Sequence, residues 1–381
     1  MKTPFNKPYM TGKEFDYIRI AHENSHLAGD GPFTQKCHRW LENYSNAKCA
    51  LLTHSCTAGL EMSALLIDIQ AGDEIIMPSY TFVSTANAFV LRGAVPVFVD
   101  IREDTLNIDE NLIEAAITSK TKAIVPVHYA GVACEMDSIL AIAKKYKLIV
   151  IEDAAQGMMA NYKGQALGNL GDLGTYSFHE TKNVISGEGG ALLINRQEFV
   201  ERAEIIREKG TDRSRFFRGQ VDKYTWQSIG SSFLPGELIA AFLWAQLEQA
   251  KEITKKRLSL WDRYHELLKE SETSALLRRP IIPAECQQNG HMYYVLLRED
   301  VSRDKVLAKL AQAGINAVFH YIPLHLSPAG RKLGRSSGSL TLTDDLSSRL
   351  IRLPLWVGLT DRMQKNVVRQ LLSAISSSSD N

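Results

Sequence analysis

The amino-acid sequence predicts an α/β fold, with a mostly parallel sheet between helices and a smaller α+β unit at the C-terminal end. The first observation is an alternation between about residues 57 and 195, where short β-branched runs bounded by turn residues follow amphipathic helical stretches. Such runs are typical of strands buried on both faces, and their alternation with helices is typical of an α/β sheet. The second observation is a new strand–helix–strand pattern that begins at Gly290.

Periodicity and turn chemistry place the individual elements. In the first region, strands are predicted at 73–77, 95–99, 123–127 and 148–151, with helices at 57–69 and 81–91. A long helix is predicted at 235–268, apolar on one face and charged on the opposite face after Glu248. In the C-terminal unit, strands at 292–297 and 317–321 flank a helix at 303–314.

The chain has 381 residues, about twice the length of a typical domain. We therefore expect a large domain at 1–250 and a small C-terminal domain at 251–381 that includes the long helix. Two segments without a clean period, residues 28–33 and 209–230, are predicted substrate loops. The polar tail from Ser376 onward is expected to fray.

Composition excludes several classes of function. Lys and Arg number 44 against 43 for Asp and Glu, so the chain has no field that favours nucleic acid or an anionic membrane. The polar start and the lack of an apolar run of about 18 residues predict a cytoplasmic protein without membrane insertion. Five scattered cysteines, with no Cys-x-x-Cys pattern, argue against disulfides and against a metal site.

Asp153 is the first candidate for chemistry. It follows the apolar run Ile149-Val-Ile151 and Glu152 at the carboxyl end of a predicted strand, where open α/β sheets form their ligand crevices. The alternative is that its carboxylate caps a following helix, as Asp often does.

Lys182 is the second candidate, in a loop between a predicted strand and the turn Gly187-Glu-Gly-Gly190. Most lysines are solvated surface residues, so its neighbourhood carries the argument. Ser177 and Thr181 are hydroxyl donors suited to a phosphate, and the glycines permit close backbone approach. The alternative is an ordinary polar hairpin.

Cys56 and Thr57 form the third candidate, at the start of the first predicted helix. Free amides and the helix dipole make a helix N-terminus an anion site. Simple capping of the helix by Ser55 or Thr57 is the alternative reading.

Together, a phosphate cradle, a carboxylate for a pyridinium nitrogen and a Schiff-base lysine are what pyridoxal 5'-phosphate requires of a protein. Asp153 and Lys182 lie 29 residues apart, and the Gly-rich turn follows the lysine. This pattern resembles the DegT/DnrJ/EryC1/StrS family of sugar aminotransferases, which are fold type I enzymes. Segments 77–85, 93–100, 125–131 and 320–325 extend the resemblance over nearly the whole chain.

The resemblance implies a seven-stranded, mostly parallel sheet in the large domain and assigns roles to individual residues. Lys182 and Asp153 are the implied catalytic residues, the lysine as carrier of the cofactor and proton-transfer base. The implied cofactor contacts are Cys56, Thr57, Phe82, Asp153, Gln156, Ser177, Lys182 and Ser232. For Phe82 and Gln156, core packing is the alternative. Ser232 stands where relatives carry an Asn that reaches the neighbouring subunit's phosphate.

The resemblance also implies a homodimer with active sites at the subunit interface. Four basic residues of the 209–230 segment are then candidates for the diphosphate of a sugar nucleotide, namely Arg213, Arg215, Arg218 and Lys223. An exposed basic loop is the alternative. His320 and Tyr321 are expected to line the sugar side of the substrate site.

At a finer level, segments 126–137, 177–183 and 207–226 imply a particular reaction. It is transamination of dTDP-4-keto-6-deoxy-D-glucose with L-glutamate to dTDP-4-amino-4,6-dideoxy-D-galactose, for a surface polysaccharide of the enterobacterial common antigen or O-antigen type. The alternatives are the gluco epimer at C4, a 3-amino product, or a non-catalytic regulatory protein on the same scaffold. A dehydratase of this family would carry His in place of Lys182.

Overall fold

An eight-stranded sheet forms the centre of the large domain in the computed structural model, which describes residues 2–378. Its strands are β1 (Cys49–Thr53), β2 (Glu74–Pro78), β3 (Val95–Val99), β4 (Thr121–Ile124), β5 (Ile149–Asp153), β8 (Leu173–Ser177), β9 (Gly190–Ile194) and β13 (Arg335–Ser336). Their spatial order is β1-β9-β8-β5-β4-β2-β3-β13. Only β9 runs antiparallel to its neighbours.

The remaining strands are short or belong to the C-terminal unit. They are β6 (Asn161–Tyr162), β7 (Gln165–Ala166), β10 (Leu277–Arg278), β11 (Cys286–Gln287), β12 (Tyr293–Leu297) and β14 (Leu350–Leu353). Strands β10, β12 and β14 form an antiparallel sheet, and β11, β6 and β7 form another.

Helices cover these sheets. In the large domain they are α1 (Glu14–Glu23), α2 (Pro32–Ser45), α3 (Cys56–Leu66), α4 (Val83–Val90), α5 (Glu110–Ala116), α6 (Met136–Tyr146), α7 (Val200–Arg207), α8 (Arg213–Phe217) and α9 (Glu237–Glu248). The others are α10 (Ala250–Leu267), α11 (Lys269–Thr273), α12 (Arg303–Gln312), α13 (Pro328–Leu333), α14 (Thr341–Arg349) and α15 (Asp361–Ser376).

The alternation of side chains along the buried strands builds a separate hydrophobic layer on each face of the large sheet. On β5, Val150 packs into one layer and Ile151 into the other. A third cluster, with Trp261, Tyr293 and Leu353 among its members, forms the core of the C-terminal unit. The predicted α/β fold with a small α+β unit is therefore confirmed.

Four details of the prediction were wrong. The large sheet has eight strands instead of seven, because the two-residue strand β13 pairs beside β3 from a polar segment without strand character. Residues 317–321 form only an isolated bridge from Val318 to Arg352, and the positive φ of Tyr321, 32°, ends the extended backbone. The helix predicted at 235–268 is two helices that meet at Gln249. Residues 81–91 become helical only from Val83.

The predicted division after residue 250 falls at the start of α10 and stays a prediction. Many contacts cross it: Thr3 pairs with Ile315, β11 pairs with β6, and β13 joins the large sheet. Helix α15 continues to Ser376, and the final three residues of the tail predicted to fray lie outside the described part of the chain. Within residues 2–378, no helix is both long and apolar enough to cross a membrane.

Candidate active site

A cavity of about 700 Å³ opens at the carboxyl ends of the parallel strands, between the large sheet and the C-terminal unit. Nine of the predicted site residues line it, namely Cys56, Thr57, Phe82, Asp153, Gln156, Ser177, Lys182, His320 and Tyr321. They come from segments that are up to 265 positions apart in the chain. This convergence supports a single site.

Strand register places three parts of the site together. Asp153 on β5 pairs with Thr175 on β8, two residues before Ser177. Ser177 in turn pairs with Gly190 on β9, and Gly190 pairs with Thr53 on β1. Because α3 begins three residues after Thr53, the helix N-terminus lies at the same edge as Ser177 and Asp153.

Gly190 brings β9 into contact with the start of α3. A Cβ atom at this position would lie 2.3 Å from the carbonyl carbon of Ser55 and 2.4 Å from the backbone nitrogen of Cys56. The Ser55 hydroxyl caps α3 by accepting the Ala58 amide at 3.0 Å, so the capping reading is correct for Ser55. The amides of Cys56 and Thr57, in the first turn, have no partner within the helix and can hold an anion.

The Gly190→Ala variant tests this contact. We expect the Cβ to force β9 away from α3, which lowers stability by about 1–3 kcal/mol and weakens retention of a phosphate-bearing ligand at the helix start. Thermal unfolding with and without pyridoxal 5'-phosphate measures both effects. Gly187→Ala is the control, because a Cβ there meets no atom within 4 Å, although its φ of 82° adds backbone strain. Equal cofactor retention in both variants would contradict this role for Gly190.

Asp153 is buried, with 5% of its surface exposed, and its carboxylate is held in place by two hydrogen bonds. The Thr85 hydroxyl donates to Oδ2 at 2.7 Å, and the Ala155 amide donates to Oδ1 at 3.2 Å. Turn residues follow Asp153, so it does not cap a helix. Since Thr85 uses its proton on Asp153, Thr81 donates to Thr85 at 2.8 Å.

Sequence reasoning missed Thr85 as an orienting residue, although it belongs to a segment recognised as family-like. Replacing Thr85 by Val keeps the shape and removes the donor. We expect kcat to fall by about 10- to 100-fold, because a hydrogen bond to a buried charged group contributes roughly 1.5–3 kcal/mol. Steady-state kinetics measures this change. Asn87→Ala is a control in the same helix, because Asn87 is exposed and does not line the cavity, and an unchanged kcat for the Thr85 variant would exclude the role.

Lys182 reaches the cavity from the hairpin between β8 and β9. Its backbone amide donates to the carbonyl of His179 at 2.9 Å, and Glu180 pairs with Gly187 across the hairpin. Within residues 2–378, the Lys182 amine has no hydrogen-bond partner. Burial lowers the pKa of this amine, while Cys56 and Asp153 act in the opposite direction. The hairpin reading is therefore correct for the backbone, and the side chain remains available as a nucleophile.

Gln156 and Phe82 face the cavity and do not fill the core. The Gln156 side chain accepts the Ala130 amide at 2.7 Å and donates to the Tyr321 hydroxyl at 3.0 Å, which fixes its amide plane. Phe82 is 56% exposed, and its ring centroid lies 6.3 Å from that of Tyr321. Both side chains are thus placed to contact a flat ring.

Tyr80 and Tyr129 support the far wall of the cavity and were not singled out from the sequence. Tyr129 shares a hydrogen bond of 2.9 Å with Nδ1 of His320, and Tyr80 donates to the His320 carbonyl at 3.1 Å. The His320 ring stacks on Tyr321 with centroids 3.5 Å apart. Burial, followed by the charge of Arg352, lowers the pKa of His320 well below its usual value, so its ring is neutral at pH 7.

Five predicted residues do not line this cavity. Three of them form ion pairs with acidic side chains: Arg213 with Glu208 at 3.7 Å, Arg215 with Glu201 at 3.1 Å and Arg218 with Glu204 at 2.8 Å. Lys223 and Ser232 are exposed. The backbone of Ser232 forms a bridge with that of Glu208. The predicted loop at 28–33 also lies outside it, with α2 beginning at Pro32. Contacts of these residues with a partner subunit's site stay a prediction.

The fold and the site together define a pyridoxal-phosphate-dependent aminotransferase. The cofactor fits a lysine amine with no hydrogen-bond partner among the described residues, a buried carboxylate, a helix-start anion site beside Ser177 and a flanking aromatic face. The sequence profile of the DegT/DnrJ/EryC1/StrS aminotransferase family matches residues 8–372. The chain belongs to this family.

Individual relatives agree with this assignment. The chain is 37% identical to an uncharacterized protein of Methanocaldococcus jannaschii over 353 residues, which cover 91% of each chain. It is 32% identical to GDP-perosamine synthase of Caulobacter vibrioides over 368 residues, 96% of each chain. The structure is similar to Helicobacter pylori PseC, an aminotransferase involved in the biosynthesis of pseudoaminic acid, with a TM-score of 0.91, 26% identity and coverage of 99% of this chain and 100% of PseC.

Proposed function

We propose that this enzyme transfers the amino group of L-glutamate to C4 of dTDP-4-keto-6-deoxy-D-glucose and forms dTDP-4-amino-4,6-dideoxy-D-galactose. The observation that carries the transfer chemistry is the amine of Lys182, which has no hydrogen-bond partner in the described part of the chain and shares one cavity with the buried carboxylate of Asp153. Similarity to a synthase of GDP-perosamine supports a sugar nucleotide as acceptor. The product belongs to the assembly of a surface polysaccharide in the cytoplasm.

Each residue of the site has a separate role in the proposed transfer. Bound pyridoxal phosphate supplies an electron-accepting ring that stabilises negative charge on the carbon that loses its proton. Lys182 moves that proton, and burial favours its neutral form by lowering the pKa of the amine. Asp153, held by Thr85, would place its carboxylate beside the ring nitrogen of the bound cofactor. The first amides of α3 and Ser177 would hold the phosphate.

We also propose a homodimer, in which the 209–230 segment approaches the partner's cavity. This segment exposes large apolar side chains next to its basic residues, including Trp226, which is 81% exposed, and Phe217. Exposed aromatic groups of this kind mark interaction surfaces. Sedimentation of the purified protein should give twice the chain mass, and a monomer at micromolar concentration would contradict this arrangement.

Product analysis tests the proposed reaction. Incubation of the holoenzyme with dTDP-4-keto-6-deoxy-D-glucose and L-glutamate, followed by NMR of the product, reports both the aminated carbon and its configuration. We expect an axial amine at C4. A gluco epimer or a 3-amino product would replace the substrate assignment within the same enzyme class. A protein that binds cofactor but converts no keto-sugar nucleotide would favour a regulatory role.

A further inference from the structure

A hydrogen-bond network begins at Asn183, the residue that follows the cofactor lysine. The side-chain amide of Asn183 donates through Nδ2 to the backbone carbonyl of Asn289 at 2.8 Å, and its Oδ1 lies 3.2 Å from Nδ1 of His291. Because a carbonyl oxygen only accepts, the Asn289 contact determines which end of the Asn183 amide faces the histidine. His291 therefore carries a proton on Nδ1 and donates a hydrogen bond to Asn183.

Asn289 holds this network in one orientation. Both protons of its side-chain Nδ2 are used, in bonds of 2.7 Å to the carbonyls of Gln156 and Met158. Its Oδ1 accepts the His291 amide at 3.0 Å. Asn183 and Asn289 are both buried, so turning the His291 ring away would leave buried polar groups unpaired, which is unfavourable.

The backbone that carries His291 is fixed as well. Arg257 is buried and donates to the carbonyls of Gly290 at 3.0 Å and of His291 at 2.7 Å. The φ of Gly290 is 64°, and a Cβ atom there would lie 2.8 Å from the carbonyl carbon of Arg257. Glycine is therefore required at this turn, which holds the backbone of His291 against Arg257.

The second ring nitrogen of His291 is left without a partner. His291 lines the cavity together with Lys182, and within residues 2–378 its Nε2 forms no hydrogen bond. Burial lowers the pKa of this imidazole well below its usual value, and the positive charges of Lys182, Arg257 and Arg352 lower the same pKa further. The ring is therefore neutral, and with its proton on Nδ1 the Nε2 atom has a lone pair that accepts.

The Lys182 amine is the donor that suits this nitrogen. Through Asn183, the His291 ring is bonded to the residue next to Lys182. Of the charges that act on the ring, that of Lys182 has the largest effect on its pKa. The amine itself has no hydrogen-bond partner in the described part of the chain. The same cavity thus contains a donor without an acceptor and an acceptor without a donor.

We propose that Nε2 of His291 accepts a hydrogen bond from the Lys182 amine and holds that amine at the α-carbon of the amino donor. In the transfer step the α C–H bond breaks, its electron pair stays with the bound substrate, and the proton goes to the lone pair of Nζ. The proton remains on Nζ, because the buried imidazole does not become charged. His291 is therefore a positioning residue, and this inference rests on the proposed function only in requiring an α-amino acid donor.

Two substitutions separate the ring nitrogens of His291. An asparagine side chain places its amide near the position of Nδ1, so His291→Asn keeps a donor for Asn183 and has no group at Nε2. A glutamine side chain reaches the position of Nε2, so His291→Gln keeps an acceptor in the cavity and loses the Asn183 bond. His265→Asn is the matched control, because burial also lowers the pKa of His265 and its Nδ1 lies 3.3 Å from the Tyr293 hydroxyl, but it does not line the cavity.

The first measurement is the single-turnover rate constant of the holoenzyme with L-glutamate and with L-glutamate deuterated at the α-carbon. For His291→Asn we expect a loss of about 10- to 100-fold and a larger deuterium effect, because a misplaced amine makes proton removal limit the reaction. His291→Gln should stay within about 5-fold of the wild type, and His265→Asn should match it. A His291→Asn enzyme as fast as His291→Gln, or slow without a larger deuterium effect, would reduce the network to a structural role and overturn the proposal.

The second measurement is ¹⁵N NMR of the holoenzyme labelled in histidine, with the His291 signals assigned by their absence from either variant. We expect a protonated Nδ1 and an unprotonated Nε2 at neutral pH. A proton on Nε2 would overturn the acceptor role whatever the kinetics. A normal reaction of His291→Asn with L-glutamate, followed by a slow reaction with the keto sugar, would assign Nε2 to a sugar hydroxyl instead. Since the NMR and the L-glutamate reaction need no keto sugar, failure of the proposed sugar substrate leaves both tests intact.

Discussion

Replacing Lys182 by alanine is expected to reduce turnover by on the order of 10⁴-fold or more, because one side chain serves as both nucleophile and proton-transfer base. The amides of Cys56 and Thr57 and the hydroxyl of Ser177 remain in the variant, so it should still bind pyridoxal phosphate without covalent attachment. Mass spectrometry after borohydride treatment distinguishes the two forms. Wild-type chains should retain the cofactor covalently, and the variant chains should not.

Lys163 offers a matched control for this experiment. It is a surface lysine with an ion pair to Asp137, far from the cavity lining. Lys163→Ala should keep wild-type turnover and covalent cofactor. A Lys182→Ala enzyme with turnover near that of the wild type would remove Lys182 from the mechanism, whatever its effect on stability.

Replacing Asp153 by asparagine is expected to lower the rate of proton transfer by about 10²- to 10³-fold, comparable to the loss of one preorganised electrostatic partner in other active sites. Asparagine has nearly the same size and can still accept the Thr85 hydrogen bond, but it has no negative charge to hold beside the ring nitrogen. Single-turnover reaction with L-glutamate, followed by cofactor absorbance, measures this step directly.

Asp137→Asn is the corresponding control, since it removes an exposed carboxylate from the same surface ion pair. It should react at the wild-type rate. The rate loss supports this role of Asp153 only if the variant retains its cofactor on dialysis. A slow variant that has lost its cofactor would indicate a binding defect instead. A normal rate with bound cofactor would show that the ring nitrogen does not depend on Asp153.

Much of the site was predictable because its main residues lie where local sequence determines structure. Asp153 follows an apolar strand, Lys182 lies between a strand and a glycine-rich turn, and Cys56 begins a helix. Family resemblance then assigned roles to Phe82 and Gln156, and both line the cavity. The assignment of the 209–230 segment to substrate depends on a second subunit and stays a prediction.

Other features depend on contacts between distant segments and have no local signal. Strand β13 is two polar residues that pair only because α13 brings them beside β3. The break between α9 and α10 at Gln249 lies within a continuous helical pattern. Helical periodicity predicts which face is buried, but it does not predict where packing interrupts the backbone.

The α/β class follows from local sequence patterns, and the same patterns predict a cofactor lysine, a strand-end carboxylate and a helix-start anion site, because each depends on neighbours within a few residues. The side chains that orient these groups are visible only in the folded chain. Thr85 bonds Asp153 across 68 positions, Tyr129 bonds His320 across 191, and His291 bonds Asn183 across 108. Such pairs form when strand register and domain packing bring distant parts of the backbone together. They cannot be predicted from hydrophobic periodicity, because the period indicates which face of an element is buried but not which element packs against that face.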